Sequence, residues 1–148
     1  MHAVPFNIEI PDHALADLRR RLRDTRVPLL TPAEPWQQGV DGAWLRDLTA
    51  YWAERFDWRA AEQALNRLPQ FVADVDGQRV HFIHRRGAGP NPYPLVITHG
   101  WPGSVFEFDA LIERLCDPAA FGGDPHDAFD VVAPSGQGFL FSPPPASP

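Results

Sequence analysis

The sequence predicts an α/β fold: an N-terminal helical meander over residues 1–70, followed by a β-hairpin and a βαβ unit over residues 71–148. Three observations carry this. Apolar residues recur at helical spacing as far as Leu65. From Phe71 the period shortens to that of strands, around an Asp76-Gly77 pair that favours a tight hairpin turn. Beyond the hairpin, two short apolar runs at 95–98 and 129–133 flank one further helical pattern, as expected of parallel strands joined by a crossover helix.

The elements follow in order. Residues 5–10 read as extended, and Pro11 and Asp12 announce a helix with Asp12 as N-cap. Leu15, Leu18 and Leu22 give it one apolar stripe, and Arg19, Arg20, Arg21 and Arg23 form its solvated face. Between Thr25 and Trp36 three prolines, Pro28, Pro32 and Pro35, predict a surface loop that Trp36 plugs onto the body. Asp41 or Gly42 opens a second helix with a stripe of Trp44, Leu45, Leu48, Tyr51 and Trp52, read as core. Asp57 caps a third helix carrying Trp58, Ala61 and Leu65. In the second half, residues 105–116 read as one helix with Phe106, Ala110, Leu111 and Leu115 on one side, and Ser104 and Glu107 stand at capping-box spacing. Residues 118–128 form a Gly/Pro/Asp loop, and the Pro/Ser-rich tail from Ser142 onward reads as mobile.

Composition narrows the function classes. At 148 residues and net charge −6, the chain gives no reason to expect nucleic acid or an anionic membrane as partner. Its apolar runs fall far short of a transmembrane segment, and residues 1–10 carry no signal-peptide pattern, which predicts a cytoplasmic protein. The single cysteine, Cys116, precludes an internal disulfide and reads as a small buried hydrophobe. No metal site is expected. His81 and His84, three apart on a strand, point to opposite faces and read as cross-strand packing. Glu107 and Asp109, two apart on a helix, do not form an acid pair.

The segment that carries chemistry is His99-Gly100-Trp101-Pro102-Gly103-Ser104. It follows an apolar strand and precedes a helix, so it lies at the C-terminal end of a parallel strand, where α/β proteins place ligands. Two glycines and a proline permit unusual backbone angles and bring main-chain N–H groups toward a cavity. Such donors can stabilise a developing oxyanion, each typically contributing ~3 kcal/mol. An ordinary tight β–α turn is the competing reading.

This segment resembles the HGxP oxyanion-hole motif of α/β-hydrolases, and its HGWPGS form resembles epoxide hydrolases of the microsomal type. Further stretches resemble that family in the same order: Pro5-Phe6 with Ile8 and Ile10-Pro11, then Phe56-Asp57-Trp58-Arg59, then Leu65-Asn66 with Pro69-Gln70-Phe71. Asp76-Gly77 with His81-Phe82 and His84 continues the series. The resemblance implies the family's N-terminal region and an incomplete α/β-hydrolase core. It also implies a mechanism without metal or organic cofactor. An Asp nucleophile opens a small apolar epoxide to an alkyl-enzyme ester, and a His-activated water hydrolyses the ester to a vicinal diol. Carried over by position, the backbone N–H of Trp101 is the oxyanion donor, while His99, Gly100, Pro102 and Gly103 shape the turn, with Pro102 following a cis bond.

The catalytic nucleophile, general base, acid and lid tyrosines are expected beyond Pro148, so no catalytic side chain is assigned here and the chain alone is expected to be inactive. Gly122-Gly123-Asp124 is not the nucleophile elbow: no apolar strand precedes it and Pro125 follows the Asp, so Asp124 reads as a turn residue. No G-x-S-x-G serine elbow is present. Residues 134–142 depart from the family's PSLPGYGFS pattern by losing a proline and a glycine, which predicts a looser loop. Two other readings stand beside the hydrolase. One is a non-catalytic docking arm that associates with a partner chain or with itself through exposed sheet edges. The other is a different hydrolase of the same fold, such as a dehalogenase or esterase, which the N-terminal meander disfavours.

Overall fold

The computed structural model describes residues 2–28 and 34–145. Part of the proline loop, at 29–33, and the end of the tail, at 146–148, lie outside the described residues. The chain divides into two compact units, Glu9–Glu62 and Met1–Ile8 together with Gln63–Pro148.

Within Glu9–Glu62 lie helices α1 (Asp12–Arg23) and α2 (Gly42–Glu54) and the start of α3 (Trp58–Leu65). Pro11, not Asp12, takes the N-cap position of α1. Pro11 has extended backbone angles and no N–H to satisfy, which leaves Asp12 as the first helical residue, ion-paired with Arg59. Asp41 caps α2 by accepting the Trp44 N–H at 2.9 Å, and Asp57 accepts the Ala60 N–H at 3.0 Å. The hub of this unit is a buried carboxylate that the apolar pattern does not reveal. Glu62 accepts from the Ile10 N–H at 2.7 Å, from Trp58 Nε1 at 3.1 Å and from Arg59 at 2.6 Å. The Ile10 hydrogen bond, followed by Arg59 and Trp58, holds its pKa below the ordinary carboxylate value. The aromatic stripe of α2 is not core: Trp44, Leu48, Tyr51 and Trp52 are all exposed, and Trp36, 57% exposed, packs edge-on with Trp44. Leu18, Leu48, Tyr51, Trp52, Phe56 and Trp58 line an open apolar groove of about 340 Å³.

The other unit is a five-stranded mixed sheet in the order β1-β2-β3-β5-β4. Its strands are β1 (Ala3–Pro5), β2 (Gln70–Val75), β3 (Gln78–Arg85), β4 (Tyr93–Val96) and β5 (Phe129–Pro134). The β2–β3 hairpin turns on Asp76 (φ 51°) and Gly77 (φ 78°), the double left-handed pair of a tight two-residue loop. β4 and β5 run parallel, Leu95 opposite Val131. Their crossover is not one helix. Residues Val105–Phe108 form a 3-10 turn that passes into α4 (Asp109–Cys116). The junction changes the helical phase, so Val105, Ile112 and Cys116 are buried while Leu111 is exposed. With Leu68, Ile83, Val131 and Ala133 they form the core. The capping box does not form: Ser104 makes no side-chain cap, and the Glu107 carboxylate lies against Gly103 instead. β4 is not a buried strand. It is the sheet's outer edge, with Tyr93 63% and Val96 65% exposed.

Loops at the N-terminal ends of β4 and β5 are closely tied. Asp130 accepts from the Gly87 N–H and from Arg86, both at 2.7 Å, and the Ala88 N–H reaches the last residue of α4, Cys116, at 2.7 Å. Asp124 is a turn residue that accepts the His126 N–H at 2.8 Å. Gly89 packs so closely that a Cβ there would collide with the Pro125 carbonyl and stand 2.7 Å from Ala128 Cβ.

At the opposite end, residues 135–142 are neither loose nor free. They close over His81, which is fully buried. Its Nε2 meets Gln70 Oε1 at 3.1 Å and its Nδ1 meets Ser135 Oγ at 2.8 Å. Gln70 spends its amide N–H on the Leu65 carbonyl, so its oxygen is the acceptor. This assigns the imidazole proton to Nε2 and leaves Nδ1 to accept from Ser135. Ser142, read as the start of a mobile tail, accepts the His81 N–H and donates to the Ser135 carbonyl, each at 2.9 Å, and is itself buried. Phe6 and Phe141 set their edges against the same ring at 5.1 and 5.2 Å.

Two outcomes follow. Gly89→Ala costs ~2 kcal/mol by overpacking, read as a lower urea midpoint, whereas Gly100→Ala, with nothing within 4 Å of the new Cβ, leaves the midpoint nearly unmoved. Burial pushes the His81 pKa down from 6.5 to about 4, with a smaller push from Arg79. The unfolded chain therefore takes up the proton first. The contribution of neutral His81 is complete above pH 6.5 and is lost as the pH falls from 6.5 toward 4. The loss is on the order of 3 kcal/mol. His81→Gln is expected to be less stable at pH 7 but flatter than wild type between pH 7 and 4.5 in urea denaturation; equal slopes would exclude His81 as the titrating group.

Candidate functional site

Because β4 and β5 are parallel neighbours, the loops that leave their C-terminal ends emerge side by side. One is the His99–Ser104 segment. The other is 135–142. The Ile97 N–H still bonds the Val132 carbonyl at 3.0 Å, so the sheet holds the chain until two residues before His99.

The turn itself is built around the Gly100 carbonyl. It accepts the Gly103 N–H at 2.7 Å and faces His99 Nδ1 at 3.3 Å. The Trp101–Pro102 bond is cis, as the sequence reading expected, and every other described peptide is trans. The Trp101 N–H forms no hydrogen bond among the described residues. Its indole projects outward, the residue being 86% exposed. An uncommitted main-chain donor at the end of a parallel strand can receive a negative oxygen with little reorganisation.

Sequence reasoning found five of the residues that form this turn and missed two that support it. The Gly136 N–H donates to His99 Nε2 at 3.1 Å, and Phe139 sets its ring against His99 at 4.8 Å. Gly136 and Phe139 were visible only as letters in a loop that departs from the family pattern. Nothing in their spacing says that a main-chain N–H would meet an imidazole. No cluster of metal-ligating side chains forms among the described residues. His81 is taken up entirely by hydrogen bonds, and Cys116 is buried, with burial raising its thiol pKa. No helix of the described residues is long and apolar enough to cross a membrane.

Comparison with known proteins gives the family of the chain. Residues 3–108 match the family model described as epoxide hydrolase N terminus. A putative epoxide hydrolase of Stigmatella aurantiaca (strain DW4/3-1) is 51% identical over 138 residues, covering 93% of this chain and 31% of that protein. Epoxide hydrolase 1 of Oryctolagus cuniculus is 36% identical, over 93% of this chain and 31% of its own length. Among solved structures, Aspergillus niger epoxide hydrolase superposes with a TM-score of 0.84 at 30% identity, covering 100% of this chain and 39% of that one. The juvenile hormone epoxide hydrolase of the silkworm Bombyx mori gives 0.82 at 28% identity, over 99% and 39%. The chain thus spans about a third of the length of the curated relatives it matches. Its mixed sheet and helices match those of the N-terminal part of α/β-hydrolase epoxide hydrolases, and the chain belongs to the epoxide hydrolase N-terminal family.

Proposed function

We propose that this chain supplies the N-terminal region and the oxyanion turn of an enzyme that opens a small apolar epoxide to a vicinal diol. The observation that carries the reading is the uncommitted Trp101 N–H beside a cis proline at the end of β4. In such an enzyme an Asp carboxylate attacks an epoxide carbon, the C–O bond of the ring breaks as lid tyrosines give its oxygen a proton, and a hydroxyalkyl-enzyme ester forms. Water, deprotonated by a His that an acidic residue orients, then attacks the ester carbonyl. The carbonyl oxygen gathers negative charge in that step, which the Trp101 N–H receives on this reading; the ester C–O bond then breaks, the diol leaves with the proton held by the His, and the Asp carboxylate is restored. His99, Gly100, Pro102 and Gly103 give the turn its shape. The nucleophile, base, acid and the donors to the epoxide oxygen belong, on this reading, to the part of the relatives' length that this chain does not span. The same reading assigns residues 1–70 to the family's N-terminal arm and 71–148 to the first strands of the hydrolase core, and no metal or organic cofactor takes part. One free, buried cysteine fits a cytoplasmic setting.

A second reading is supported by the exposed outer edge of β4. Its unpaired main-chain groups and half-exposed apolar side chains suit pairing with another strand. The chain then acts as a docking module, joining a partner or a second copy through that edge.

The two readings make different predictions. Incubated with styrene oxide, the 148-residue chain is expected to give no diol, and diol formation at enzymatic rates overturns the division of labour proposed here. When residues 3–145 replace their counterpart in the Stigmatella aurantiaca relative, diol formation is expected to persist. In that chimera Trp101→Pro, which removes the N–H, lowers kcat about 100-fold, the ~3 kcal/mol of one lost oxyanion donor, while Trp101→Phe changes it only a few-fold. Equal losses in both variants would assign the role to the indole instead. For the docking reading, sedimentation of the isolated chain is expected to show association that rises with concentration and weakens in Val96→Lys; a monomer at all concentrations excludes it.

A further inference from the structure

We infer that His99 is a positioning residue that aims the Trp101 N–H, and that the 135–142 loop holds His99 in place to do so. The inference rests on the reading of Trp101 as oxyanion donor and adds what fixes that donor's direction.

The geometry begins with the peptide plane. The Gly100–Trp101 bond is trans, so the Gly100 C=O and the Trp101 N–H point in opposite directions from one rigid unit. Whatever holds the carbonyl on one side therefore aims the N–H on the other. Two groups hold it: the Gly103 N–H at 2.7 Å and the His99 ring at 3.3 Å through Nδ1. The ring's own orientation is not left to rotamer preference. Gly136 donates its N–H to Nε2 at 3.1 Å, so Nε2 carries no hydrogen and the ring proton sits on Nδ1, facing the Gly100 oxygen. Phe139 closes the ring's flank edge-on.

Gly136 in turn cannot drift. Its neighbour Ser135 is bonded through both its N–H and its hydroxyl to buried His81. Its own carbonyl accepts the Phe139 N–H at 3.0 Å, and Ser142 returns to the Phe139 carbonyl at 3.0 Å. Two residues in left-handed conformation, Leu140 (φ 47°) and Gly138 (φ 81°), fold the loop back on itself to make this closure. A continuous set of hydrogen bonds thus runs from the buried imidazole of His81 through Ser135 and Gly136 to the exposed turn. The sheet supplies rigidity at one end, and His99 delivers it to the donor at the other.

The test reads direction, not activity. Residual dipolar couplings of the Trp101 N–H are measured in the weakly aligned, 15N-labelled chain, with the Leu95 and Val131 amides as internal references for the sheet. In wild type the Trp101 coupling is expected to match the structure. In His99→Phe, which keeps a ring against Phe139 but can neither accept from Gly136 nor donate to Gly100, the coupling falls to less than half while the reference amides hold. His99→Asn, whose amide nitrogen sits where Nδ1 did but whose side chain does not reach Gly136, restores part of it. Should His99→Phe fail to fold, His99→Gln, which reaches Gly136 but not the Gly100 oxygen, must show the same fall. An unchanged Trp101 coupling in the folded Phe or Gln variant, or no restoration by Asn, overturns the positioning role. That outcome leaves the donor reading intact, since the latter stands or falls on the Trp101→Pro chimera; a failure there in turn leaves the measured direction of the N–H untouched.

Discussion

A fully buried imidazole has to be neutral and has to have both nitrogens satisfied, and in this chain that single requirement organises one end of the sheet. His81 lies on the covered face of β3 with Ile83. Its neighbours on β2 and β3 supply an acceptor, Gln70, but no donor for the second nitrogen. The donor comes from Ser135, immediately after β5, and the His81 main chain takes a second serine, Ser142, seven residues further on. The loop between those serines must close over the ring. Phe6, next to β1, and Phe141, in the loop, shield it from either side. First strand, hairpin, β5 and closing loop are thereby bound into one cooperative polar and aromatic cluster.

The consequence reaches the surface because β5 has a parallel neighbour. An antiparallel partner would have sent its loop to the far end of the sheet. The parallel register of β4 and β5 sets the HGWP turn beside the loop that His81 anchors, and Gly136 to His99 is the contact that results. The unit Glu9–Glu62 repeats the principle with a different group. Glu62 is buried, and its charge is held by a main-chain N–H, an indole and a guanidinium instead of being expelled. In both units a polar side chain inside an apolar setting fixes the course of a segment that has little regular structure of its own.

What the sequence disclosed divides along the same line. Period and turn chemistry were local, and they located α1, α2, α3, the hairpin with its Asp76-Gly77 turn and the parallel pair, while the cis proline came from the family resemblance. The family resemblance singled out the turn after β4, which lies within residues 3–108 that match the epoxide hydrolase N-terminal model. What stayed hidden were consequences of tertiary partnership. A hydrophobic stripe on α2 reads as core wherever a partner covers it, yet Trp44, Leu48, Tyr51 and Trp52 are exposed in this chain. An apolar run reads as a buried strand, yet β4 lies at the edge because strand order is set by pairing and not by composition. Ser104 and Glu107 have the spacing of a capping box, but the chain enters a 3-10 turn at Val105, where that reciprocal geometry does not arise. Ser135, Ser142 and Gln70 are ordinary polar letters until β3 brings a histidine among them.

A main-chain donor differs from a catalytic side chain in what it requires of the fold. A side chain can be re-aimed by rotation about its own bonds, whereas an N–H moves only with its peptide plane. Its direction is therefore a property of everything that holds the opposite carbonyl. In this turn the Gly103 N–H is a local constraint, present in any tight turn of the same form, while the His99 ring is a long-range one, seated by a loop 37 residues away. The local bond lies within the turn and ties it to nothing beyond the end of β4, an edge strand with exposed side chains. The long-range bond ties it to β5, the most enclosed strand of the sheet, and through Ser135 to His81. The turn accordingly carries one uncommitted amide on a peptide plane that a hydrogen-bond path through His99, Gly136 and Ser135 ties to the core.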